Sequence, residues 1–211
     1  MKYKYVLFDL DGTLINTNKI IIDSFKYTLK NHLDIDIEDR EIFKYFGEPL
    51  LTTLERFSKE KAVDMFDTYI QYNESIHDKN IEAFENVDSV LKYLTDLGCI
   101  MCIVTSKRKI LAKRGLKLLD LLKYFDKVIA CEDTIKHKPE PDPIFKALSE
   151  LNAKPELSLM VGDSEYDIKC AKNAGVKSVF VGWSEAAIHQ NQDIEADYVI
   201  SDIIQLIDIV K

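Results

Sequence analysis

Short apolar runs separated by longer amphipathic stretches set the pattern of this chain. Tyr5-Val6-Leu7-Phe8 is one such run and stops at Asp9; Ile100-Met101-Cys102-Ile103-Val104 is a second and stops at Thr105. Lys127-Val128-Ile129-Ala130 is a third, and residues 157–161 a fourth that stops at Gly162-Asp163. Residues 176–181 and Tyr198-Val199-Ile200 make a fifth and a sixth. Runs this short, apolar without alternation, predict strands covered on both faces, as in a parallel sheet. Between them, residues 110–122, 142–151 and 167–173 carry helical apolar spacing. The alternation predicts an α/β fold: a Rossmann-like parallel sheet with helices on both faces.

One block departs from this rhythm. Residues 16–81 hold no convincing strand, only amphipathic helical stripes such as Ile20, Ile21, Ser24, Phe25, Thr28 and Leu29, then Val63, Phe66 and Ile70. The block follows the first strand directly, where a doubly wound fold places its first crossover helix. It reads as an inserted α-helical cap domain, residues 16–81, over a core domain of residues 1–15 and 82–211. The hinges fall near residues 13–17 and 80–86.

Composition narrows the partners. A chain of 211 residues, 46% hydrophobic, can bury a full core plus a modest insertion. Its net charge of −8 argues against nucleic acid, whose phosphate backbone calls for a basic surface. No run approaches the roughly 18 apolar residues of a membrane helix, and the first apolar run is too short for a signal peptide, so no membrane partner and a cytoplasmic location are expected. Cys99 and Cys102 flank or enter a strand at an odd spacing and so face opposite sides; with Cys131 and Cys170 they read as ordinary buried thiols. The histidines, His32, His77, His137 and His189, recur at no metal-ligand spacing.

The polar residues that end the strands are more informative. Ligands of open α/β sheets bind beyond the carboxyl ends of the strands. There the chain places Asp9 and Asp11, then Thr105 and Ser106, then Lys138, then Asp163 and Asp167. Asp9 and Asp11 repel unless a cation or a proton lies between them, and both outcomes suit phosphoryl transfer; a plain Asp-Gly turn is the alternative. Thr105 and Ser106 can hold phosphate oxygens ahead of a helix or simply cap it. Lys138 precedes the stiff segment Pro139-Glu140-Pro141-Asp142-Pro143, which can hold an ammonium inward. Asp163 and Asp167 lie four apart, so one can reach a metal while the other supports it or orients Lys138; capping the helix is again the alternative.

In that order the motifs resemble those of the haloacid dehalogenase (HAD) superfamily of phosphohydrolases, over essentially the whole chain. Asp9-Leu10-Asp11-Gly12-Thr13 is similar to its first motif, Thr105 to its second, Lys138 to its third and Gly162-Asp163-Ser164-x-x-Asp167 to its fourth, while the insertion resembles the C1-type cap. The resemblance implies that Asp9 is the nucleophile and that Asp11 is the acid and then the base. It implies that Thr105, Ser106 and Lys138 hold the phosphoryl group. Mg²⁺ would sit on Asp9, the Asp11 carbonyl and Asp163, with Asp167 in support. Dehalogenases and phosphonate hydrolases of the superfamily lack an acid where Asp11 stands, which favours a phosphatase.

Leu10 to Asn18, the turn Phe46-Gly47-Glu48-Pro49-Leu50 and the stretch Tyr69-Ile70-Gln71-Tyr72-Asn73 resemble bacterial inorganic pyrophosphatases linked to the HPr kinase/phosphorylase system, and next phosphoglycolate phosphatases. The implied partner is pyrophosphate or a small phosphorylated substrate. Glu48 adds a negative charge to a turn expected to face it, and Arg40, Arg56, Lys19 and Lys26 are cap cations available to select it. Two rival readings remain: a phosphosugar mutase of the β-phosphoglucomutase type, and a non-catalytic regulatory module, which should have lost Asp9, Asp11 or Lys138.

Overall fold

Strands β1 (Tyr5–Phe8), β4 (Ile100–Val104), β5 (Lys127–Ile129), β6 (Ser158–Gly162), β7 (Lys177–Val181) and β8 (Tyr198–Ile200) form one parallel sheet in the order β5-β4-β1-β6-β7-β8. Two shorter strands, β2 (Ile15–Asn16) and β3 (Glu82–Ala83), pair antiparallel beside it. This is a computed structural model that describes residues 1–184, 187–188 and 194–211; His189 lies outside the described residues.

Alternate residues of each buried strand feed opposite layers. Val6, Phe8, Met101, Ile103, Leu159 and Val161 pack in one apolar cluster with Val87, Val90, Leu91 and Leu94 of the next helix in the chain, Val87–Leu97. Leu7, Cys102, Val104, Ile129 and Met160 pack on the other face, with Ile144, Ala147 and Leu148 of the helix Asp142–Leu151 and Cys170, Ala171 and Ala174 of the helix Glu165–Ala174. Full burial of each large side chain contributes about 1.5–3 kcal/mol, which makes these two layers the main support of the sheet. Cys99 and Cys102 fall in opposite clusters; all four thiols are free, but Cys131 is only half-buried rather than buried as expected.

Between β2 and β3 the chain forms α1 (Asn18–Leu33), α2 (Asp39–Ile42), α3 (Leu50–Phe57) and α4 (Ala62–Ile76). They enclose an apolar cluster of their own, including Phe25, Leu29, Ile42, Phe46, Leu54, Met65 and Tyr69. Helices α1 and α4 are locked by the edge-on rings of Phe25 and Tyr69, 5.0 Å apart, and by Asn73 donating to Ser24 Oγ. The sheet helices already named become α5 (Val87–Leu97), α7 (Asp142–Leu151) and α8 (Glu165–Ala174), with α6 (Lys109–Leu118) after β4 and α9 (Leu206–Val210) at the end.

Boundaries shift slightly from the apolar pattern. Helix α6 stops at Leu118 because Asp120 adopts φ +57° and a short turn, Leu122–Tyr124, follows. The β2–β3 ribbon carries no periodic signal at two residues a strand, so the pattern did not reveal it. No helix among the described residues is long and apolar enough to cross a membrane.

Candidate active site

Parallel pairing levels the strand ends. Phe8 is in register with Ile103 on one side and Val161 on the other, so Asp9, Thr105 and Asp163 emerge at one edge of the sheet. Lys138 joins them from the loop before α7, with Nζ donating to Asp9 Oδ1 at 2.8 Å and to Asp167 Oδ1 at 2.6 Å. Asp167 Oδ2 accepts from the Ser164 backbone N–H at 3.1 Å and from Ser164 Oγ at 2.6 Å. Asp167 thus closes a capping box on α8 and holds the lysine at once, with both its oxygens occupied.

Asp163 lies just before that cap, and its Oδ2 accepts from Ser184 Oγ at 2.7 Å. Gly12 leaves room for it: at φ +81°, a Cβ there would stand 2.1 Å from Asp163 Oδ2. Position 12 therefore tolerates no side chain.

These groups are desolvated. Asp9 is 8% exposed, Asp163 5%, Lys138 3% and Asp167 1%. Burial pushes Asp9 up to about 7; Lys138 opposes the shift, while Asp167 and Asp11 add to it. Burial, with Asp9 and Asp167 alongside, also raises Asp163 well above the usual carboxylate range. Burial works against a charged Lys138, but Asp167 and Asp9 outweigh it and hold the ammonium above its ordinary value. Carboxylate oxygens of Asp9, Asp163 and Asp167 lie within 4.8 Å of one another. Ionised together, these three acids would carry more negative charge than one buried ammonium offsets; with Asp167 engaged by Lys138 and Ser164, the oxygens of Asp9 and Asp163 are the donors that fit a hard divalent cation.

Asp11 stands apart from this trio. Its Oδ1 accepts from Thr17 Oγ1 at 2.7 Å and from Lys107 Nζ at 2.8 Å. Thr105 Oγ1 accepts from the Lys107 backbone N–H at 3.1 Å. Helix α6 starts only at Lys109 with Arg108 as its N-cap, so Thr105 and Ser106 are free of capping and line the cavity. Thr17, Lys107 and Ser184 were missed in the sequence. Each lies a few residues from a strand end or a recognised motif, which is the signal that would have found them.

A cavity of about 350 Å³ separates the sheet edge from the cap. The edge contributes Asp9, Asp11, Thr105, Ser106, Lys107, Lys138, Asp163 and Asp167; the cap contributes Ile21, Phe25, Phe66, Tyr69, Ile70 and Asn73. None of the four cap cations lines it. Lys19 pairs with Asp23, Lys26 with Asp39, Arg40 with Glu38 and Arg56 with Glu48. Glu48 does reach the cavity, but Arg56 at 2.5 Å and Thr53 Oγ1 at 2.8 Å engage its carboxylate. The turn thus faces the cavity as expected, and Arg56, itself exposed, offsets the charge in part. Neighbouring Gly47, at φ +85°, sits so close to α8 that a Cβ would lie 2.8 Å from Ser164 Oγ.

Residues 6–181 match the family model described as haloacid dehalogenase-like hydrolase. The chain is 52% identical over its full length to "Putative pyrophosphatase PpaX" of Caldanaerobacter subterraneus subsp. tengcongensis, covering 96% of that protein. It is 39% identical to "Pyrophosphatase PpaX" of Halalkalibacterium halodurans, covering 100% of this chain and 98% of the relative. The crystal structure titled as a predicted phosphatase from Clostridium acetobutylicum aligns with a TM-score of 0.86 at 28% identity, covering 100% of this chain and 99% of that one. With the match running from β1 to the end of β7, and these relatives covered almost end to end, the chain belongs to the haloacid dehalogenase-like hydrolases.

Proposed function

We propose that this hydrolase is a Mg²⁺-dependent phosphatase that cleaves a small phosphate compound through an aspartyl-phosphate on Asp9. The names of the relatives make pyrophosphate the first compound to try. One observation carries the reading: Lys138, fully buried, bridges Asp9 and Asp167 at the sheet edge, with the Asp163 carboxylate beside them. A carboxylate held by an ammonium in a dry site is placed to attack an electrophile rather than to solvate a surface.

In the first half-reaction an Asp9 oxygen bonds to phosphorus. The bond from phosphorus to the leaving oxygen breaks, its electron pair goes to that oxygen, and Asp11 supplies a proton where one is needed. In the second, Asp11 takes a proton from water as the water oxygen attacks phosphorus, and the bond to Asp9 breaks to restore the carboxylate. Thr105, Ser106 and Lys138 hold the phosphoryl oxygens, the positioning and charge stabilisation on which such transfers depend. Asp9, the Asp11 carbonyl and Asp163 would hold Mg²⁺, which when bound offsets phosphoryl charge; Asp167 keeps Lys138 aimed. Relatives named as pyrophosphatases, 52% and 39% identical over the whole chain, support hydrolysis over the mutase alternative.

Acid-quenched protein, incubated with Mg²⁺ and radiolabelled pyrophosphate, should carry label that borohydride reduction maps to Asp9. Asp9→Asn should keep its circular dichroism spectrum, take no label and lose turnover on the order of 10³-fold or more. Near wild-type turnover by that variant, or full activity in excess chelator, would remove the mechanism.

A further inference from the structure

We infer that Lys107 recognises the leaving half of the substrate and selects compounds whose leaving group already carries negative charge. This rests on the roles given above to Asp9 and Asp11.

The Lys107 side chain is 11% exposed and ends 2.8 Å from Asp11 Oδ1. Its backbone is anchored on both sides of the residue: the N–H donates to Thr105 Oγ1, and the carbonyl accepts from Cys131 N–H at 3.2 Å. The stem therefore starts from the loop that holds the phosphoryl group and reaches the carboxylate that meets the leaving oxygen. A group within hydrogen-bond distance of Asp11 is next to that oxygen.

The other cavity cations are committed differently. Lys138 faces Asp9 and Asp167, on the phosphoryl side of the cavity rather than beside Asp11. Arg108, 41% exposed at the rim, faces Glu74 at 3.2 Å and Glu132 at 3.9 Å. Among the described lining residues, Lys107 is thus the lysine or arginine that adjoins the leaving position. The need for one there is electrostatic. Asp9, Asp11, Asp163 and Asp167 all border the cavity, and they would repel an anionic leaving group. The apolar cap wall supplies no counter-charge.

When phosphorus transfers to Asp9, a leaving phosphate takes the bond's electron pair while already charged, and the Lys107 ammonium stabilises it. A leaving alcohol or phenol brings no such charge before cleavage. The ammonium then adds little beyond its contact with Asp11.

The test compares pyrophosphate with phenyl phosphate at saturating Mg²⁺, using wild type, Lys107→Met and Lys107→Arg. Wild type should favour pyrophosphate. Loss of a charge-assisted hydrogen bond should lower kcat/KM for pyrophosphate about 10- to 100-fold in Lys107→Met, mainly through KM, while phenyl phosphate, which meets Lys107 only through Asp11, should lose less and lose it in kcat. Lys107→Arg should recover most of the loss. Calorimetry on Asp9→Asn and on Asp9→Asn with Lys107→Met repeats the comparison without turnover, so a failure of the nucleophile assignment is seen separately from a failure at Lys107. Equal losses for both compounds, or a wild-type preference for phenyl phosphate, would overturn the inference and leave Lys107 as a holder of Asp11.

Discussion

At the sheet edge the ion pairs are dry; in the cap at least one partner of each is exposed. Lys138, with Asp9 and Asp167 as its partners, is 3% exposed, whereas the side chains of Lys19 and Asp23 are 69% and 31% exposed and those of Arg40 and Glu38 76% and 71%. Exposed pairs of the second kind are worth little, about 0–1 kcal/mol. Desolvated ones of the first kind perturb each other's protonation and bind what water no longer satisfies. The two halves of the cavity thus divide most of their work: the edge supplies the dry ammonium–carboxylate pairs, and the cap supplies shape and a largely apolar wall, with Glu48 its acid among the described lining residues. Each prediction below strikes one side of that division, or the joint between them, in order of expected effect.

The edge should be sensitive to groups that touch no substrate. Ser184 donates to Asp163 Oδ2 and is itself fully buried. Ser184→Ala should lower Mg²⁺ affinity about 10- to 100-fold, the usual cost of removing a hydrogen bond that orients a metal ligand. Titrating activity and thermal stability with Mg²⁺ measures it; an unchanged midpoint would show that Asp163 needs no such support.

The cap should act through shape. Gly47→Ala places a methyl group against Ser164, whose hydroxyl holds Asp167, and does so from a left-handed backbone. Stability should fall by about 1–3 kcal/mol. Activity should fall roughly tenfold, because small displacements of positioning groups are costly. If the melting temperature drops and kcat/KM does not, the cap turn is uncoupled from the edge.

The same contrast explains what could be read in advance. Strands end where their apolar runs end, and parallel pairing brings those ends together, so Asp9, Thr105 and Asp163 were legible from local sequence plus one topological rule. Lys107 and Ser184 were not, because their roles depend on where a side chain turns after leaving the strand end. In the cap, periodicity marks the apolar face of a helix but cannot say what that face covers. Phe25 and Tyr69 belong both to the cap's own cluster and to the cavity wall. The cations Lys19, Lys26, Arg40 and Arg56 were candidates because they lie in the inserted segment, and the structure turns each to a neighbouring acid.

The joint between the two halves carries the smallest and most specific effect. His77 opens a short turn, His77–Lys79, between α4 and β3, and is 1% exposed. Its Nδ1 lies 3.1 Å from Asp78 Oδ1, and Asp78 Oδ2 accepts from Arg114 of α6 at 2.7 Å, so the return hinge is pinned to the core. Burial, then Lys107, hold the imidazole below its ordinary value, against Asp78 and Asp11. The unfolded chain, with its histidine near 6.5, therefore takes up a proton before the folded protein does. Stability from His77 is fully present above about 6.5 and is lost as pH falls through the lower folded value. Asp9 works in the opposite sense, since a raised carboxyl favours the folded state at low pH and loses that contribution as pH rises through about 7. At saturating Mg²⁺, which should suppress the Asp9 contribution, the melting temperature of the wild type should fall more steeply between pH 7 and pH 5 than that of His77→Gln, by about 1–3 °C for a change below 1 kcal/mol. Parallel slopes for the two proteins would show that the hinge is held by shape alone, as the cap is, and carries none of the buried charge that marks the edge.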